Sequence, residues 1–258
     1  MGEVYSARDK RSGERVALKV LTAEGPLAVA RFQREGALLA RLTHPGIVRF
    51  VAAGTTDGDQ RYLAMEWLEG EDLAARLDRG ALSIGEAVAL IADVGRALGV
   101  LHGQNIVHRD VKPSNVFLVG GSVRRPKLLD FGIARPMPSS DRVTKTGAGV
   151  GTIGYMAPEQ VRGDSVLDAR CDVFALGCVL FECLTGRPPF VGEHALAILT
   201  RIVLEPAPAP SDLCPGVPPA LDDLVARMLA RDREGRPADA SEVVAELTRL
   251  QDHAPAFP

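Results

Sequence analysis

The feature that most constrains this 258-residue chain is a change of hydrophobic period near residue 70. Up to about Leu63 the apolar residues come in short runs: EVYSAR (3–8), RVALKV (15–20), IVRFVAAG (47–54) and QRYLAME (60–66). Runs of this length and alternation predict strands with one face in a core. Arg11-Ser12-Gly13 closes the first two into a hairpin, and TTDGDQ (55–60) closes the last two. Between the pairs, PLAVARFQREGALLARL (26–42) has a helical period and opens on a proline suited to a first turn. After EWLEGED the helical period takes over. An α+β chain of two lobes follows: a small antiparallel sheet with one helix, then a larger, mainly helical body.

In that second part, SIGEAVALIADVGRALGVLHGQ (83–104) starts with Ser83 and Glu86 in capping-box spacing. NVFLV (115–119) and PKLLD (126–130) flank Gly120-Gly121 as a hairpin. Segment 131–159 has no clear period, and a loop that long inside a domain is usually functional. Helices resume over 171–186, 193–204, 218–232 and 239–251, and APAFP reads as a tail or the start of a linker.

Composition removes several function classes. A net charge of -3 argues against a nucleic-acid binder, which would carry a basic face. The most apolar run, CDVFALGCVLFECLTG (171–186), is too short to span a bilayer and carries Glu182, so it predicts a buried helix. The start lacks the basic-then-apolar pattern of a signal peptide. Cys171, Cys178, Cys183 and Cys214 form no C-x-x-C pair; they are expected to be small apolar fillers in a reducing compartment rather than zinc or redox ligands.

Three places carry chemistry. Glu35 falls inside the apolar stripe Ala28, Phe32, Leu39 and Leu42 of its helix. A carboxylate there is costly unless a cation meets it, and Lys19 is the lysine of the neighbouring apolar strand. A Lys19–Glu35 pair is one reading; a surface glutamate at the edge of the stripe is the other. Next, His108, Arg109, Asp110, Lys112 and Asn115 crowd a polar loop between an apolar helix and an apolar strand. Asp110 could accept a proton from a hydroxyl, and Asn115 offers a neutral oxygen to a hard cation. Finally, KLLDFG puts Asp130 at a strand end, ahead of Phe131 and Gly132. Asn115 and Asp130 suit a magnesium ion that keeps waters and is completed by phosphates. Singly, each motif is weak, and D-F-G alone is ordinary turn chemistry.

Their order and spacing change the odds. V-A-L-K (16–19), the helical Glu35, H-R-D-x-K-x-x-N (108–115), D-F-G (130–132) and GTIGYMAPE (151–159) together resemble the protein-kinase signature set. From Met1 to about Leu250 the chain resembles a bacterial, eukaryotic-like (Hanks-type) serine/threonine protein kinase. That resemblance implies a kinase domain over 1–252, with an N-lobe at 1–64, a hinge at 65–70, a C-lobe at 71–252 and a tail at 253–258. It implies that Lys19, oriented by Glu35, holds the α and β phosphates of ATP. Asp110 would orient the acceptor hydroxyl, Lys112 would neutralise the γ-phosphate, and Asn115 and Asp130 would bind magnesium, or manganese in its place. Met65 resembles the gatekeeper, with the backbone of Glu66 and Leu68 meeting adenine between Val4, Ala17 and Phe117. Glu159 resembles the carboxylate that pairs with a late arginine, here Arg236. Asp172 resembles the aspartate that supports the catalytic-loop backbone. Thr144 and Thr146 resemble autophosphorylated activation-loop threonines, with Arg109 as the cationic partner of the phosphate, and Thr152 resembles a substrate-positioning threonine.

The A-P-E segment favours protein substrates over small molecules, as related small-molecule phosphotransferases generally lack it. A kinase-domain dimer is the expected route to autophosphorylation in trans. The domain is expected to be cytoplasmic, with membrane attachment only through a span beyond its C-terminal end. Of the family's G-x-G-x-x-G-x-V loop only Gly2-Glu3-Val4 is present. The first strand and two glycines are therefore expected upstream of Met1, leaving EVYSARD as a sheet edge. The alternative is a nucleotide-binding pseudokinase or scaffold that begins at Met1. The intact downstream side chains favour the active enzyme.

Overall fold

The structure is a computed structural model, and it describes residues 2–22, 25–130 and 153–253. Strand β1 (Gly2–Arg8) pairs with β2 (Arg15–Leu21) through the expected tight turn. Helix α1 (Pro26–Leu39) follows, then β3 (Phe50–Thr55) and β4 (Arg61–Glu66). These strands form one antiparallel sheet in the order β1-β2-β4-β3. Period-two alternation sets its faces: register partners Val4, Lys19 and Leu63 share a side with Ala17 and Met65.

Two boundaries differ from the sequence pattern, each for a local reason. The helix expected to run to residue 42 stops at Leu39, where Arg41 and Leu42 donate to Leu38 and Leu39 and tighten the chain out of the α-helix. The strand expected from residue 47 begins only at Phe50, because the preceding backbone pairs elsewhere. Val48 N–H donates to Leu128 (3.0 Å) and Leu128 N–H to Gly46 (2.8 Å).

Beyond the sheet, β5 (Gly70–Asp72) and the short helix α2 (Leu73–Leu77) were not visible as periodic runs. Asp72 caps α2 by accepting from Ala75 N–H at 2.9 Å. Gly70, at φ 142°, is sterically required: a Cβ there would lie 2.0 Å from the Leu118 carbonyl oxygen. Helix α3 (Ile84–His102) carries the expected Ser83/Glu86 capping box. Strands β6 (Val116–Val119) and β7 (Pro126–Leu128) complete a second antiparallel sheet, β5-β6-β7. Helices α4 (Pro158–Arg162), α5 (Ala169–Thr185), α6 (Ala195–Leu204), α7 (Pro219–Met228) and α8 (Ala240–His253) build the rest. Helix α8 runs two residues past the helical pattern expected over 239–251.

The apolar run at 171–186 is the buried centre of this body, with Phe174, Leu176, Leu180 and Phe181 of α5 inaccessible to solvent. Around it, α3, α7 and α8 turn their apolar stripes inward to one continuous core. All four cysteines are free thiols, and Cys171, Cys178 and Cys183 are buried on α5. No helix among the described residues is long and apolar enough to cross a membrane.

Candidate active site

Burial sorts the polar residues sharply. Among the described residues, the buried charged or polar side chains are Glu35, His108, Lys112, Asn115, Glu159, Asp172 and Arg236. A buried polar group must be paired, so these seven mark where the fold spends stability on polar contacts.

Helix α1 delivers Glu35 to the sheet. It approaches so closely that a Cβ on the adjacent Gly36 would meet Leu63 Cδ2 at 2.5 Å. Lys19 Nζ lies 2.8 Å from Glu35 Oε1 and 2.7 Å from Asp130 Oδ1, so one ammonium bridges two carboxylates. Burial alone would depress the Lys19 pKa, but Asp130 and then Glu35 face it and hold it above the ordinary value. Burial also pushes the Glu35 carboxyl up, and a lysine shared with Asp130 does not cancel that.

The polar loop after α3 is tied together by its own side chains. Asn115 Nδ2 donates to both the backbone oxygen and Oδ2 of Asp110, each at 2.8 Å. Lys112 Nζ is 3.2 Å from Asp110 Oδ2. Leu129 N–H donates to the Asn115 carbonyl at 2.9 Å, which brings Asp130 alongside this loop. The fully buried His108 takes the Asp110 amide on Nδ1 (3.3 Å), so its Nε2–H donates to the Leu129 carbonyl (3.1 Å). Asp172 on α5 accepts from His108 N–H and Arg109 N–H, both at 2.7 Å. Arg109 and Asp130 hold φ of 67° and 38°, a conformation that costs a non-glycine residue about 1–3 kcal/mol and clusters at functional sites. The turn at Asp130 also explains why β7 ends at Leu128 rather than at residue 130.

The Asn115 amide nitrogen is consumed by Asp110, which leaves the amide oxygen as its ligand atom. The two linked ion-pair sets of the site hold two ammonium groups, Lys19 and Lys112, and three carboxylates, Glu35, Asp110 and Asp130. An excess of negative charge and hard oxygen donors fits a magnesium ion. No group of three or more His, Cys, Asp or Glu among the described residues forms a self-sufficient metal cluster. A cation here would therefore need water and phosphate ligands.

The remaining expected residues divide. Met65 is buried on the Lys19 face, whereas Val4 is 58% exposed at the sheet's edge strand, where Gly2 pairs with Leu21. Phe117 stands half-buried on the other sheet, opposite Asp72 and Lys127. The Glu66 amide is already donated to the Arg49 carbonyl at 2.9 Å. Glu159 and Arg236 meet in a buried two-bond pair at 2.7 and 2.9 Å. Arg109 is exposed, and its carbonyl accepts from Gln160 Nε2 at 3.1 Å. Phe131, Gly132, Thr144, Thr146 and Thr152 lie outside the described residues.

Sequence reasoning missed three contacts. Lys127 on β7 meets Glu66 Oε1 at 2.7 Å, which also accepts from Arg49 N–H at 2.8 Å, tying the hinge to both sheets. A lysine inside PKLLD was the available signal, of the same kind as Lys19 in RVALKV. Tyr155 donates to Glu182 at 2.5 Å, and burial raises both groups. His102, at the end of an apolar helix, reaches Asp172.

Comparison with known proteins adds the following. The family model described as "Protein kinase domain" matches residues 1–247. The chain is 40% identical over 262 residues to the serine/threonine-protein kinase PknB of Mycobacterium leprae, covering 99% of this chain and 42% of that protein. It is 41% identical over 263 residues to PknB of Mycobacterium tuberculosis, again 99% of this chain and 42% of the relative. With PknD of Mycobacterium tuberculosis the identity is 40% over 262 residues, 98% of this chain and 39% of the relative. The chain thus spans about two-fifths of the length of these curated relatives.

Proposed function

The chain belongs to the protein kinase domain family, and from that membership we propose that it is a serine/threonine protein kinase that moves the γ-phosphate of ATP to Ser or Thr hydroxyls of proteins. The observation that carries the reading is the connected set Glu35–Lys19–Asp130 and Asp110–Lys112–Asn115, joined through Leu129. Lys19 exchanges Asp130 for the α and β phosphates while Glu35 keeps its grip. The substrate hydroxyl oxygen attacks the γ-phosphorus, the bond to the β,γ-bridging oxygen breaks, and the hydroxyl proton passes to Asp110. Lys112 offsets charge on the oxygens of the moving phosphoryl group. A magnesium or manganese ion on Asn115 and Asp130 would supply further neutralisation of phosphate charge. Such catalysis is mostly positioning and electrostatics, so a bonded network of these groups is what it requires. The pseudokinase alternative has no support from the relatives, which are named as serine/threonine-protein kinases.

Met65, Ala17, Val4, Phe117 and the backbone of Glu66 and Leu68 are the proposed adenine surroundings, with Gly2 near the phosphates. The four free thiols and the use of ATP support a cytoplasmic catalytic domain, taken as 1–252. Asp110→Asn and Asp130→Asn should each lower phosphate transfer to a Ser/Thr protein substrate by ~100-fold or more with little change in melting temperature. Normal turnover in either variant overturns the assignment. Thr144 and Thr146 are the proposed autophosphorylation sites, in trans between two kinase domains, and the exposed Arg109 beside Asp110 supports them. Mass spectrometry of active protein should find phosphate on one of the two. Phosphate only at positions outside 130–159 counts against this proposal.

A further inference from the structure

The sheet rows beside the proposed adenine neighbours end in a contact outside the kinase motifs. Ser6, Ala17 and Met65 form one row across the first sheet, since Ser6 pairs with Ala17 and Ala17 with Met65. Two residues further along, on the same face, Arg8 stands opposite Arg15, and Trp67 follows the last β2–β4 pair, Val16 with Glu66. Like charges directly opposite each other are unfavourable, and the two arginines turn apart. Arg8 Nη1 donates to the Gly13 carbonyl at 2.9 Å. Arg15 Nε donates to Ser6 Oγ at 2.9 Å, and its guanidinium carbon lies 4.0 Å from the centre of the Trp67 ring. One side chain thus ties β1 and β2 to the segment that leaves β4.

The indole depends on that cation for its place. A buried indole N–H ordinarily finds an acceptor, but Trp67 Nε1 is buried and has none among the described residues. Its ring is therefore held by packing and by the guanidinium on its face, an attraction of ring quadrupole for charge. The roof on this side is otherwise loosely held. Among the described residues β1 pairs only with β2, so Val4 reaches the rest of the sheet through β2 alone. Arg15 adds a second hold, on the face that carries Val4, Ala17 and Met65.

We propose that Arg15 is a positioning residue for ATP: stacked on Trp67 and bonded to Ser6, it clamps the β1–β2 hairpin to the hinge and sets the height of the roof over adenine. The proposal rests on the kinase reading for the nucleotide, and on the geometry alone for the clamp. Arg15 lies at the far end of β2 from the reacting groups, four residues before Lys19. Its effect therefore falls on the binding of ATP and leaves the transfer step intact.

In the 258-residue chain, Arg15→Ala should raise KM for ATP ~3- to 10-fold, with the turnover number for a Ser/Thr protein substrate within ~2-fold of the parent. Arg15→Lys keeps a cation for the ring but loses the Nε–H to Ser6, and should recover part of the loss. Trp67→Leu should raise KM as Arg15→Ala does, and the double variant should do no worse than the weaker single, because both remove one contact. Trp67 is the only tryptophan, so its emission should shift in Arg15→Ala before any nucleotide is added. Fully additive losses in the double variant, or a turnover number that falls with the melting temperature while KM holds, overturn the proposal. A parent chain that neither binds ATP nor transfers phosphate refutes the kinase reading. A parent that transfers phosphate, with KM unchanged in Arg15→Ala, refutes the clamp alone.

Discussion

Glu35 and Glu159 are both buried, and each meets one cation, but the two cations are held differently. Arg236 gives two parallel bonds to Glu159. It also donates to the carbonyls of Ala230, Arg170 and Arg231, and its guanidinium lies 5.0 Å from the centre of the Phe174 ring. Its planar donors are filled by fixed acceptors from three separate stretches of chain. Lys19, by contrast, spreads one ammonium between Glu35 and Asp130, and the Asp130 side chain is 48% exposed. A satisfied fork has nothing to gain by moving. A cation shared with an accessible carboxylate can exchange that partner for a ligand phosphate. The helical body thus uses its buried pair as a fastening, and the sheet uses its pair as a contact that can be remade.

Breaking the fastening should have the largest effect. Arg236→Met strands a buried Glu159 and frees three carbonyls, so the chain should lose about 3–5 kcal/mol of stability in urea titration. Arg236→Lys should not restore it, because an ammonium cannot reproduce the two-bond fork. A loss below about 1 kcal/mol in Arg236→Met would show that the pair is not a fastening.

The remade contact should fail in a different way. Lys19→Met should cut phosphate transfer by ~100-fold or more while costing less stability than Arg236→Met, because Glu35 can relieve its isolation by taking up a proton. The sign can be checked by pH. Burial already raises the Glu35 pKa, and losing Lys19 raises it further. The folded variant then binds a proton that the unfolded chain has released, so its stability falls as pH rises from the ordinary carboxylate range through the raised pKa. The deficit of Lys19→Met relative to the parent should therefore be smallest in acid and grow toward neutral pH. A pH-independent deficit would mean that Glu35 does not titrate there.

The same contrast explains what could be read in the sequence. Lys19 and Glu35 were legible because each interrupts a regular apolar pattern, and burial of such a group demands a partner. The strands of the first sheet and the long helices were legible because each holds its period long enough to register. Strand β5, with three residues, and α2, with five, are too short to show a period at all. The roles of Asp172 and Arg236 rest on resemblance, since their partners lie 63 to 77 positions away and no local pattern joins them. His102 is harder still: it closes an apolar helix, and its two contacts, with Asp172 and the Ala240 amide, are 70 and 138 positions distant.

The smallest expected effect uses the thiols as reporters on the fastened lobe, where all four cysteines lie. Cys171, Cys178 and Cys183 are buried on α5, and burial holds their pKa values above the ordinary range. Cys214, in the loop that leads into α7, is only partly buried. A thiol reacts as its thiolate and only when a reagent can reach it. An alkylating reagent at mildly basic pH should therefore label one thiol per folded chain promptly, at Cys214, and the other three only as fast as the lobe opens. Arg236 bonds the Arg170 carbonyl at the start of α5 and packs on Phe174 within it, so Arg236→Met should expose the three α5 thiols to labelling. Lys19→Met should leave the prompt count at one, since its pair touches no part of α5. Prompt labelling of the α5 thiols in Lys19→Met, or their continued protection in Arg236→Met, would erase the distinction between the two pairs.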